Sequence, residues 1–70
     1  MSLGGGSGIL TDSVRSLWRQ WRECRQSWDD RSAQRFEDEF IAPVDPGARQ
    51  ALEAMERLRA AADEARRACE

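Results

Sequence analysis

The 70 residues contain no His, no Lys, no Tyr and no Asn, and only two Pro and two Cys. Without His the chain lacks the side chain that titrates near neutral pH and the commonest nitrogen ligand for metals. Ser-His and Cys-His nucleophilic pairs and His-bearing metal sites are therefore excluded. Without Lys there is neither a Schiff base nor a phosphate-loop lysine. No apolar run approaches 18 residues, so no membrane span is expected. The first residues show no basic segment followed by an apolar core, hence no secretory signal peptide. An enzyme, a cofactor, a metal site and a small-molecule substrate are all unexpected on these grounds.

Eleven Arg face 13 Asp plus Glu, for a formal charge of -2, and 40% of residues are apolar. This describes a single small domain. A chain of this size buries only about 60% of the surface its unfolded form exposes, and its core supplies roughly 3–5 kcal/mol. Cys24 and Cys69 allow one bridge at most and match no four-ligand zinc spacing. Free buried thiols are expected, and oligomerisation is the favoured source of further stability.

Residues 1–8 read MSLGGGSG and are expected to be a flexible leader or an appended linker. A single domain is then expected over residues 9–70. Leu10, Val14, Leu17, Trp21, Cys24 and Trp28 recur at intervals of 4, 3, 4, 3 and 4, an amphipathic helix with a coiled-coil-like seam. Arg15, Arg19, Arg22 and Arg25 lie opposite, and Trp18 falls beside the seam. Ala33, Phe36, Phe40 and Ile41 form a second apolar stripe. It points roughly 120° away from the first on an ideal helix. That offset implies either a break near Asp29 and Asp30 or two faces with two different neighbours. Ala48, Ala51, Met55, Leu58, Ala62, Ala65 and Cys69 recur at alternating intervals of 3 and 4 along a last helix. No strand signal is present.

The expected fold is all-α: a hairpin of two long helices, about 10–42 and 46–69, pairing into a four-helix bundle. The vertex is placed between Pro43 and Pro46, since each proline inside a regular helix costs about 3 kcal/mol. A vertex between Trp28 and Asp30 is the rival, favoured by the nearly constant helical phase across the prolines.

From Trp28 onward the residues resemble the WXG family of small helical hairpins, the type VII secretion proteins. Trp28, Asp29 and Asp30 stand where that family commonly has Trp-x-Gly at its turn, and Ala33, Phe36 and Phe40 follow at similar offsets. The resemblance covers roughly 45 residues, with Trp28 and Asp30 as the motif positions. It implies a two-helix hairpin that dimerises into a four-helix bundle and is exported without a signal peptide. Asp30 stands in place of the Gly, Pro43 and Pro46 interrupt the second helix, and no tyrosine-plus-acid export signal ends the chain. Apart from the resemblance, the default compartment is the cytoplasm.

The carboxylates Asp29, Asp30, Glu37, Asp38 and Glu39 read as a solvated helix face beside Arg31 and Arg35. The segment WRQWRECRQSW interleaves Arg with Trp, a pattern that suits nucleic acid or an anionic membrane surface. Residues 11–28 carry four Arg against Asp12 and Glu23, a local charge of only +2, which disfavours both. The preferred function is thus a non-enzymatic interaction module that forms a homodimer or pairs with a partner helix. A first arm of about 50 Å would overhang a second of about 36 Å. Leu10, Val14, Leu17, Trp18 and Trp21 are the expected interface.

Overall fold

Two helical arms run antiparallel from a turn at residues 26–30 in the computed structural model, which describes residues 3–70, with side chains from residue 5. Helix α1 is Leu3–Arg25; after the turn, α2 (Arg31–Phe36) leads through a π-helical turn (Glu37–Ile41) into α3 (Val44–Cys69). The antiparallel register is fixed by three contacts. The Ser7 hydroxyl reaches Met55 Sδ at 3.6 Å, and the Trp18 indole N–H donates to Asp45 Oδ1 at 2.8 Å. Nearer the turn, the Trp21 indole N–H donates to Glu37 Oε1 at 2.6 Å.

The turn closes without a left-handed residue; none occurs among the described residues. The last coil of α1 tightens as the Gln26 amide donates to the Glu23 carbonyl at 3.2 Å and the Ser27 amide to that of Cys24 at 3.1 Å. Asp30 then adopts an extended backbone, φ -127° and ψ -173°, and caps α2 by accepting from the Ala33 amide at 3.0 Å. Its carboxylate thereby satisfies one of the amides that a helix start leaves without a partner.

The vertex is therefore at the rival position, and the expected turn between Pro43 and Pro46 is corrected. The helices are not 10–42 and 46–69; the break falls after Arg25, and both prolines lie inside the second arm. The helix penalty of proline arises from its missing amide and its clash with the preceding turn. Here the hydrogen-bond ladder is rebuilt around both residues. The Ala42 amide reaches five residues back to the Glu37 carbonyl at 2.8 Å, a π turn that absorbs an extra residue. The ladder restarts at Val44, so Pro46 falls in the first turn of α3, where amides have no intrahelical partner anyway. Helical direction is kept while the ladder is broken, which is why the apolar phase survives across the prolines.

This placement inverts the expected overhang. Residues 31–69 at 1.5 Å each span about 58 Å, matching the longest dimension of 59 Å. Helix α1, with 23 residues, spans about 35 Å. With Ser7 opposite Met55, the far end of α3 runs past the start of α1. Leu58 is 56% exposed, and Ala62, Ala65 and Cys69 are exposed as well. Leu10, Val14, Leu17 and Trp18, expected to overhang, are half-buried along the hairpin instead.

The expected leader is also corrected in part. The described residues 3–8 continue α1, and the Thr11 hydroxyl donates to the Ser7 carbonyl at 3.0 Å. Packing of this end against α3 around Met55 favours helix over the glycine preference for coil. Met1 and Ser2 lie outside the described residues. With a cross-section of 17 by 10 Å, the hairpin is two helices wide and one deep. Among the described residues only Trp21, Ala33 and Ile41 are buried.

Candidate functional site: an exposed aromatic face at the vertex

Four aromatic rings meet where α1, the turn and α2 converge. Trp21 stacks on Phe36 with centroids 5.3 Å apart and meets Trp28 edge-on at 5.8 Å. Trp28 lies 5.7 Å from Phe36, and Phe36 lies 5.0 Å from Phe40. These are the offset and edge-to-face separations that the ring quadrupole favours. Trp21 is the anchor: its indole N–H is bonded to Glu37, and the Arg25 guanidinium stands 5.9 Å from its ring centroid. Arg25 in turn binds Asp29 at 2.7 Å and stands 3.6 Å from Glu37. Its buried Nη1 makes no hydrogen bond.

The other three rings are only partly covered. Trp28 is 37%, Phe36 39% and Phe40 59% exposed. Trp28 is held in place by the turn chemistry, and Phe36 and Phe40 by ring contacts. The Trp28 indole N–H donates to Ser32 Oγ at 3.2 Å, and the Ser32 hydroxyl donates to Asp30 Oδ1 at 2.7 Å. The Ser32 hydroxyl, with the Ala33 amide next, lowers the pKa of the Asp30 carboxyl, because both donors favour the ionised form. One exposed carboxylate thus caps α2 and, through Ser32, orients Trp28. Beside the rings runs a groove lined by Trp28, Ser32, Arg35, Phe36, Glu39 and Phe40.

The charges around this face follow an order along the chain. Arg31 and Arg35 come first, and Glu37, Asp38 and Glu39 follow them along the start of the second arm. Glu37 is engaged by Trp21 and Arg25, and Asp38 accepts from Gln34 at 3.0 Å. Among the described residues the side chains of Arg31, Arg35 and Glu39 form no ion pair or hydrogen bond. Arg35 and Glu39 are four apart in the base-before-acid order, the weaker of the two orientations on a helix.

The residues expected from the sequence are thereby redistributed. Trp28 and Asp30 sit together at the vertex, and Trp21 lies buried beneath them. Leu10, Val14, Leu17 and Trp18 are half-buried on α1. The inward side of α1 keeps Leu10, Val14, Leu17 and Trp21 of the expected seam and adds Ser7, Thr11, Trp18 and Arg25, whereas Cys24 and Cys69, expected as buried thiols, are exposed. Trp18 turns inward because Asp45 supplies the acceptor its indole N–H needs. Phe36, Phe40, Arg35 and Glu39 were not among the expected interface residues. Their signal was the phase offset between the two apolar stripes. Among the described residues no group of three or more acidic or sulfur side chains is gathered as for a metal ion, and no helix is long and apolar enough to cross a membrane. No protein-family model, curated protein or solved structure matches the chain.

Proposed function

We propose that the protein is a non-enzymatic interaction module that receives a helix on the aromatic face at its vertex. The observation that carries this reading is the contiguous exposure of Trp28, Phe36 and Phe40 on rigid supports. Aromatic side chains at the centre of a patch, rimmed by charge, have the anatomy of a protein–protein interface. A single layer of two helices leaves this face without a cover, and a further helix laid across it supplies one. The vertex at Trp28 and Asp30 also coincides with the turn position of WXG-like hairpins. Export without a signal peptide is part of that resemblance.

A photo-reactive phenylalanine at position 40, activated in cells that produce the full chain, tests the reading. Protein adducts at position 40 are expected, and they should vanish when Trp28 is also changed to Ala. Position 66, an exposed arginine at the free end of α3, is the control. Equal labelling at both positions, or none at position 40, contradicts the proposal.

A second reading draws on Arg15, Arg19 and Arg22, which line one side of α1 with Asp12 and Ser16. Among the described residues none of the three forms an ion pair, which leaves them open to nucleic acid or an anionic membrane surface. Salt-sensitive retention on heparin, lost on changing all three to Gln, would favour it.

A further inference from the structure

We infer that the helix received at the vertex belongs to a second copy of this chain, docked antiparallel about a two-fold axis beside Glu37 and Asp38. The inference rests on the helix-docking reading above and names its partner. Its basis is charge order. On the groove side of residues 31–41, Arg35 precedes and Glu39 follows, while Glu37 and Asp38, beside the axis, are engaged by Trp21, Arg25 and Gln34 of their own chain. Laid antiparallel on itself, such a segment sets Arg35 of each copy against Glu39 of the other. Laid parallel, it sets like against like.

The apolar centre obeys the same symmetry. Phe36 and Phe40 are four residues apart on one side of the arm, so an antiparallel copy brings Phe36 of each chain over Phe40 of the other. Phe40, the most exposed ring, enters the groove lined by Trp28, Ser32 and Phe36 of its partner. Arg35 and Glu39 rim that groove and form no ion pair or side-chain hydrogen bond among the described residues. In the pair, Arg35 of each copy reaches Glu39 of the other, closing two equivalent ion pairs. A two-fold contact is self-complementary in this way by necessity. The free end of α3 lacks the property: Arg59 and Arg66 border its apolar stripe on one side, and Ala61 and Ala68 on the other.

The open ring surface sets the strength. Side chains of roughly 150–250 Å² each, exposed to the fractions above, leave roughly 200–340 Å² of aromatic surface per copy. A standard stable interface buries about 800 Å² per partner. Association is therefore reversible and weak, a contact that forms at micromolar concentration or above.

Sedimentation equilibrium on the full chain tests the inference. The parent should show a monomer–dimer equilibrium with a dimer twice 8.0 kDa. Arg35→Glu alone and Glu39→Arg alone should each weaken dimerisation by about tenfold or more, since each makes both rim contacts repulsive. An equimolar mixture of the two variants should regain the parent's affinity as a heterodimer, because its rim pairs are again opposite in sign. Among the described residues neither side chain forms an ion pair or hydrogen bond, so helicity should be unchanged and a folding defect would be visible by circular dichroism. A parent that stays monomeric into the millimolar range overturns the inference. So does a mixture no tighter than its components. Adducts at position 40 that are not of dimer mass, alongside a monomeric parent, remove the second copy but leave the helix-docking reading standing. Absence of any adduct removes both.

Discussion

Trp21 holds the vertex together, and its replacement should divide the hairpin's stability into separable parts. The ring is 6% exposed, contacts Trp28 and Phe36, and donates its N–H to Glu37. Trp21→Ala removes the ring and leaves a void, at about 3–5 kcal/mol. A chain of this length has roughly 3–5 kcal/mol in total, so the variant should be largely unfolded. Trp21→Phe keeps a ring for stacking but loses the N–H together with part of the indole's volume, so the double-mutant cycle is needed to isolate the bond. A hydrogen bond to a charged acceptor contributes about 1.5–3 kcal/mol. Glu37 keeps 27% of its side chain in water and stands near Arg25, so the loss should fall at the lower end. Urea unfolding followed by far-ultraviolet circular dichroism, at one protein concentration, gives each value. A double-mutant cycle of Trp21→Phe with Glu37→Ala should show a coupling of about 1 kcal/mol. Additive effects within about 0.3–0.5 kcal/mol would mean that the bond contributes nothing and that Trp21 acts by volume alone.

The two ends of the alanine seam should respond differently. Ala48→Leu, half-buried near Val14 and Leu52, should overpack at about 1–3 kcal/mol; Ala62→Leu, exposed beyond α1, should stay within about 0.5 kcal/mol, and equal losses in thermal melts would place α1 in the wrong register. Asp30 has a folded-state pKa below its ordinary 3.8, so its contribution is present above that value and is lost as pH falls through the lower folded value. Carboxyl carbon shifts in nuclear magnetic resonance should show this titration below 3.8, and Asp30→Asn should remove the matching acid-induced loss of helix; a titration above 3.8 would contradict the cap. Cys24 lies near the vertex and Cys69 at the far end of α3, both exposed. They are separated along the second arm by about 50 Å, far beyond the roughly 7 Å limit for a bridge. Mild oxidation should yield only intermolecular disulfides by mass spectrometry, and a monomer two protons lighter would refute the topology.

Much of the fold was legible in the spacing of apolar residues, because an amphipathic helix writes its period directly into the chain. The all-α hairpin follows from the 3 and 4 intervals of Leu10 to Trp28 and Ala48 to Cys69. The vertex did not follow, because two local signals conflict. Pro43 and Pro46 argue for a break, whereas the phase of Phe36, Phe40 and Ala48 argues for continuity. The π turn ending at Ile41 reconciles them, and such a turn has no simple sequence signature. Trp18 shows a second limit. Hydrophobic spacing put it off the seam, but the acceptor that draws it inward, Asp45, is 27 residues away. The candidate site was legible only as an unexplained offset between two apolar stripes. Which one remained open depended on where the chain turned.

Among the described residues the aromatic vertex and the free end of α3 both leave apolar surface uncovered, and docking is assigned to the first. A dilution series of the full chain followed by nuclear magnetic resonance, resonance by resonance, distinguishes them most directly. Concentration-dependent shifts should centre on Trp28, Ser32, Phe36, Glu39 and Phe40, with Leu58, Ala62 and Ala65 unmoved. Shifts centred on Leu58 and the end of α3, with the Phe40 ring unaffected, would contradict the assignment.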